Sequence, residues 1–402
     1  MRNSENNYIS RPSLTSGLTL HRNKLKALCH FLIALLLFGL APRLSAETFL
    51  FLCAAEDADL VSYRVDSKSG ELSEFDRLQL QGFGGTMTLT RDGKMLYVMT
   101  MVEVEGEKRR QSHVTSIAIN AGRFEHRKTA RVPFRSPAMQ VDATGKNLLA
   151  SDYGGRVGIW KIDDQRNCTG EALEEITTEL NAHSIATDPS NRFVYVPHTK
   201  ANAIYQYAFD PATGELTPLD PPTAPGPDKD HHYHEPRHYA HHPSLPMAFT
   251  ANERGGGISS WNFDANTGAL TLRETLSSLA PEWEEKNRFA GADIHITPCG
   301  RFVYVSNRDG RKLEEGEARG DSLAGFEIDP KTGKLKPIGR FLTGRSPRSF
   351  CIDSTGHFAF VACQLSDQLE VFRIDQETGE LRRIGSYETG RNPIWVTPSQ
   401  GH

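Results

Sequence analysis

The residue types in this chain of 402 residues that can do chemistry are not scattered evenly. His183, Arg237 and Arg348 fall at one set of equivalent positions of an internal repeat and Glu253 and Arg308 at another, and His238, Asp293 and His295 sit within a few residues of such positions. Arginine forks clamp carboxylate or phosphate through paired hydrogen bonds. Glutamate and histidine can move protons near neutral pH as general base and acid. Three arginines, a glutamate and two or three histidines drawn together would therefore suit an oxygen-rich anion. Nucleophilic catalysis has no comparable signal, because Gly-x-Ser-x-Gly is absent.

Whether these residues meet depends on the elements that carry them. The chain contains an internal repeat in which a strand ends in Asp, followed by two residues, Ser/Thr-Gly, one residue and Leu. It reads Tyr63-Arg-Val-Asp66…Gly70-Glu-Leu72, and recurs at Tyr207–Leu216, Trp261–Leu270, Phe326–Leu335 and Phe372–Leu381. Looser copies occur at Ile119–Gly122 and Trp160–Gly170, which makes seven. Asp bonding to the turn backbone and Gly in a left-handed conformation describe a tight hairpin. Upstream of each copy lies an alternating apolar strand, a turn and a second apolar strand, most clearly in Ile294–Val305.

Seven copies of four short strands predict an all-β fold, a seven-bladed β-propeller of four-stranded antiparallel blades. The last copy, Pro393–Thr397, is an inner strand alone. The first strands, Thr48–Cys53 and Leu60–Val65, lack an inner strand, so the two chain ends should complete one blade and close the ring. With strands named A to D outward from the channel, the start of A and the end of B share a rim. Gly85, Pro137, His183, Arg237, Ala292, Arg348 and Asn392 align as A-strand starts. Met101, Asp152, Thr199, Glu253, Arg308 and Gln364 align as B-strand ends. The charged residues are thus predicted to line one mouth of the channel, with the insertions 221–235, 279–291 and 309–321 on the same rim.

Charge and composition narrow the function. The sequence is 24% charged and 38% hydrophobic, ordinary for a globular protein. Residues 1–46 hold six Lys/Arg against Glu5, leaving 40 basic and 49 acidic residues in the remainder, which argues against nucleic acid as a partner. Arg22, Lys24 and Lys26 precede an apolar run over 27–41, and Leu44-Ser45-Ala46 offers a cleavage site. Residues 1–46 read as a leader with a secretory signal peptide, and 47–402 as the propeller. The apolar run is short for a membrane span, so the mature protein is expected in the periplasm or outside the cell. It is expected to be a monomer without stable membrane insertion. Five cysteines remain after residue 46, with no C-x-x-C. Cys351 and Cys363 fall on expected hairpin partners, where a bridge is one reading and buried small hydrophobes the other. Six of residues 231–242 are His, which raises a metal site against a solvated loop; no metal ligand is assigned.

At Ala182-His-Ser-Ile185, Pro236-Arg-His238, Asn252-Glu253, Ala292-Asp-Ile-His-Ile-Thr-Pro298, Asn307-Arg308, Ser346-Pro-Arg348 and Asn392-Pro-Ile-Trp395, the sequence resembles the bacterial seven-bladed propeller lactonases. That family is typified by propeller-type 6-phosphogluconolactonase and is related to the carboxy-muconate lactonising enzymes. The resemblance spans about residues 48–398. Glu235 stands where glycine commonly precedes Pro-Arg-His in the family. The resemblance implies cofactor-independent hydrolysis of a sugar-acid lactone, with His183, Arg237, Glu253 and Arg308 catalytic. His238, Asp293, His295 and Arg348 are then expected to bind substrate. Two other functions fit the same scaffold: lactonisation of an unsaturated diacid, and a non-catalytic exported propeller that binds a ligand or protein.

Overall fold

A computed structural model describes residues 47–399 except 231, 285–287 and 314–315. The expected signal peptide lies outside these residues. The described chain forms twenty-eight strands and one four-residue helix, α1 (Pro281–Glu284). No helix among the described residues is long and apolar enough to cross a membrane. The strands form seven blades of four, all antiparallel. The inner strands are β4 (Phe83–Leu89), β8 (Met139–Val141), β12 (Ala186–Thr187), β16 (His234–His241), β20 (Phe289–Ile296), β24 (Pro347–Ile352) and β28 (Pro393–Pro398).

Closure follows the predicted route. β28 pairs with β1 (Thr48–Ala54), matching Phe51 with Thr397 and Cys53 with Trp395, so the last strand of the chain completes the first blade. Second strands such as β9 (Asn147–Asp152), β13 (Phe193–His198) and β25 (Phe358–Cys363) are buried along their whole length. That burial explains their continuous apolar runs, since both faces pack against neighbouring blades. Outer strands such as Leu381–Glu388 keep one face in water and alternate.

The hairpins form as their sequence dictates. In four of them the Asp side chain (Asp66, Asp264, Asp329 or Asp375) accepts from the backbone N–H groups two and three residues on. The following glycine has positive φ. Adjacent blades are latched at this rim: Tyr195 and Tyr304 donate their hydroxyls to the carbonyls of Gly268 and Gly379 in the next blade.

One feature was not predicted. The fifth and sixth blades form a continuous eight-stranded sheet, because Arg254 at the end of β17 (Met247–Arg254) pairs with Ala290 of β20. That pairing ties the strand carrying Glu253 to the inner strand of the next blade.

Candidate active site

A recurring irregularity aims the side chains. Near the start of β16, Pro236 pairs with Asn252 but His238 pairs with Ala251, so Arg237 lies on a β-bulge. Arg348 lies on the same bulge between Pro347 and Ser349, and Ala292 and Asp293 on one between Gly291 and Ile294. The register slips in the same place in β4 and β28. A bulge frees one residue from the pleat and redirects its side chain, which lets Arg237 turn inward at the mouth. The residue before Pro236, Pro347 and Pro393 has left-handed φ each time: Glu235 at 69°, Ser346 at 57° and Asn392 at 60°. The family glycine before Pro-Arg-His thus corresponds to a backbone requirement. Here Glu235 meets it with its N–H bonded to the Asn202 side chain at 2.8 Å.

The predicted mouth residues come together. Glu253 Oε1 lies 3.2 Å from Arg308 Nη2 and 3.6 Å from Arg237 Nε. Arg237 is only 1% exposed and donates from Nη1 to the Ala292 carbonyl at 2.5 Å. Arg308 donates to the Gly291 carbonyl at 2.9 Å. His183 is buried, edge-on to Tyr153 at 5.1 Å between ring centroids and 5.2 Å from the His238 ring. Among the described residues neither ring nitrogen of His183 has a hydrogen-bond partner, nor do the buried Nε atoms of Arg237 and Arg308. Arg348 is half-buried and makes no ion pair among the described residues.

Electrostatics follow from that crowding. Burial, then repulsion from Arg308, brings Arg237 down to about 9, still protonated at neutral pH. Arg308 is lowered by burial and by Arg348. Burial alone would raise Glu253, but Arg237 and Arg308 outweigh it and hold the carboxyl below its ordinary value. His183 is pushed well below the usual histidine range, first by burial and then by Arg237, so it is neutral.

Below the mouth runs an axial cavity of about 760 Å³. Its walls include His238, Asp293, His295, Ser184 and Trp395, but not Arg237, Glu253, Arg308 or His183, which stand at its mouth end. His238 Nδ1 meets Asp293 Oδ1 at 2.8 Å, and His295 Nε2 lies 3.4 Å from Asp293 Oδ2. Backbone N–H groups of Ile294 and Phe350 also donate to Asp293, at 2.9 and 3.1 Å.

The histidine-rich stretch disperses. His238 faces the cavity. His241 packs among Tyr195, Tyr239 and Phe263. His242 holds a turn, accepting from Ser244 and Leu245 and bonding the Gly300 carbonyl. His231 lies outside the described residues. Among the described residues, no three His, Cys, Asp or Glu side chains converge as metal ligands. The five cysteines are free, and the Cys351–Cys363 bridge is not formed. Cys351 pairs with Phe360, not Cys363, and the two pack into different core clusters, which favours the buried-hydrophobe reading.

Two residues at the mouth escaped the sequence reading. Tyr153 follows the end of β9, and its hydroxyl is in electrostatic range of Arg135, Arg237 and Arg308. Arg135, at the solvent edge, is lowered by partial burial and then by Arg348. A signal existed: Arg135-Ser-Pro137 repeats the Arg345-Ser-Pro347 that leads into Arg348.

The family model "Lactonase, 7-bladed beta-propeller" matches residues 48–398. The chain belongs to the seven-bladed β-propeller lactonase family. Among its relatives, the 6-phosphogluconolactonase of Pectobacterium carotovorum is 32% identical over 248 residues, 61% of this chain and 69% of that protein. The 6-phosphogluconolactonase of Cronobacter sakazakii is 26% identical over 79% of this chain and 88% of its own length. The periplasmic gluconolactonase of Pseudomonas aeruginosa shares the fold, with a TM-score of 0.74 at 21% identity, covering 89% of this chain and 100% of that one.

Proposed function

We propose that this lactonase hydrolyses a sugar-acid lactone to the open acid, with water as the only co-reactant and no cofactor. The observation that carries the reading is the set of buried, unpartnered donors. The guanidiniums of Arg237 and Arg308 flank a single carboxylate, Glu253, with each Nε left without a hydrogen bond, and the buried His183 ring lies in electrostatic range of both arginines with neither nitrogen bonded among the described residues. Buried polar atoms without partners are costly, and ligand oxygens would supply what is missing. Arg237 and Arg308 would stabilise the oxyanion as water adds to the lactone carbonyl. Glu253 would hold both guanidiniums in place, and His183 would bind a substrate oxygen. His238, Asp293 and His295 would complete the inner wall.

Arg348 and Arg135 add positive charge to the mouth and form no ion pair among the described residues, although Glu253 is in electrostatic range of Arg348. This supports a lactone bearing an anionic group, such as the phosphorylated gluconolactone named for the relatives. Export to the periplasm or beyond through residues 1–46, and action as a monomer, complete the proposal. The basic, apolar and small-residue layout of the leader supports export.

The test is proton release from phosphorylated and unphosphorylated gluconolactone by the purified protein. Turnover above spontaneous hydrolysis is expected, higher on the phosphorylated compound. Saturable binding of either lactone without turnover would instead identify a binding propeller.

A further inference from the structure

Resting on that reading, we propose that His238 is the general base of the hydrolysis and that Asp293 is its positioning residue. The other two ionisable candidates at the mouth are poorly placed for the task. Glu253 faces two guanidiniums through one oxygen, at 3.2 and 3.6 Å, so that oxygen is directed at the arginines rather than at a water. His183 is fully buried, and among the described residues no carboxylate bonds either of its ring nitrogens to fix its tautomer.

His238 has what His183 lacks. An ionised carboxylate only accepts, so the 2.8 Å contact with Asp293 places the imidazole proton on Nδ1. The lone pair is then on Nε2, in a ring that lines the axial cavity and belongs to the residue next to Arg237 in the chain. The same logic orients histidine in hydrolytic triads.

Asp293 is itself rigidly held. It joins three successive blades: its own, that of His238, and that of Phe350, whose N–H it accepts. Ile294 N–H and His295 take the rest of its capacity. The groups facing His238 are Asp293, Arg237, Arg348 and the neutral His183. Burial outweighs the carboxylate and brings His238 down to about 4, so it is a free base at neutral pH.

The step balances without a further reactant. Water oxygen bonds to the lactone carbonyl carbon as its proton passes to His238 Nε2. The oxyanion collapses, the ring C–O bond breaks, and the imidazolium returns the proton to the departing ring oxygen. The product is the hydroxy acid.

The experiment uses the purified full-length protein on gluconolactone and its 6-phosphate. His238→Ala is expected to lose kcat by about 10²–10⁴-fold with KM changed little. Added imidazole should restore part of the rate, in proportion to its free-base form. Asp293→Asn should lower kcat similarly, and ¹⁵N NMR should show His238 leaving the Nδ1–H tautomer. Wild-type kcat should stay level from pH 8 to about 5 and fall as pH approaches 4. A His238→Ala protein that keeps wild-type kcat, or a loss that imidazole does not relieve in a folded variant, overturns the assignment while leaving the lactonase standing. Absence of wild-type turnover on every lactone removes both. If Asp293→Asn does not fold, imidazole rescue of His238→Ala still decides.

Discussion

The two rims of the propeller use polar residues in opposite ways. On the hairpin rim, Asp66, Asp264, Asp329 and Asp375 spend their carboxylates on backbone N–H groups two and three residues away. Those bonds, all to Oδ1 and made within a single turn, lower each carboxyl. On the other rim, the His183 ring nitrogens and the Nε atoms of Arg237 and Arg308 have no hydrogen-bond partner among the described residues, and two guanidiniums share Glu253. The hairpin rim shapes the chain, while the mouth holds unmet hydrogen-bonding capacity, as expected where function is grafted onto a fold.

Breaking the mouth should cost activity before stability. Arg237→Met keeps the volume and removes a buried charge. It should lower kcat/KM by about 10³-fold, while Tm falls by no more than a few degrees, because Glu253 keeps Arg308 as its partner and the buried Arg237 charge carries its own desolvation cost. Steady-state kinetics beside a thermal melt check both halves. A large loss of Tm would mean that Arg237 braces the ring instead.

Acid should distinguish the regions next. His198, His238 and His241 are each brought by burial to about 4 from an ordinary 6.5. Their unfolded forms bind protons first, so stability is complete above pH 6.5 and declines as pH falls toward 4. Each histidine contributes on the order of 3 kcal/mol of this change. Urea unfolding at pH 7.5 and 4.5 should show a marked fall in midpoint at the lower pH.

Arg135→Ala should act on one substrate only. It should raise KM for the phosphorylated lactone by about tenfold and leave the unphosphorylated lactone unchanged. An equal effect on both would place Arg135 outside any anion subsite.

The smallest effects concern the backbone. Asp264→Ala on the hairpin rim should lower Tm by no more than about 3 °C and leave kcat/KM unaltered. Glu235→Gly at the mouth should raise stability by about 0.5–1 kcal/mol, since it relieves a left-handed residue at some cost in unfolded-chain entropy.

These contrasts show what the sequence could reveal. The ring, its closure and the company of Arg237, Glu253 and Arg308 were legible because a repeat carries register: equivalent positions must share a rim. The bulges beneath Arg237, Arg348 and Asp293 were not, because an extra residue in one strand leaves no compositional trace. The Arg254–Ala290 link between blades was hidden for a similar reason: one bridging pair has no periodicity. Arg135 lies two residues ahead of its aligned strand start and Tyr153 one residue past its strand end, so alignment passed over both. The histidine-rich stretch drew attention by composition alone, yet His238, His241 and His242 go to a cavity wall, an aromatic cluster and a turn. Density in sequence did not become density in space.

The measurement that bears most directly on the account is proton release from 6-phosphogluconolactone by the wild-type protein and by Arg237→Ala, at neutral pH and corrected for spontaneous hydrolysis. Saturable turnover is expected of the wild type and a rate at background of the variant. Equal rates for the two proteins, or none above background for the wild type, would contradict it.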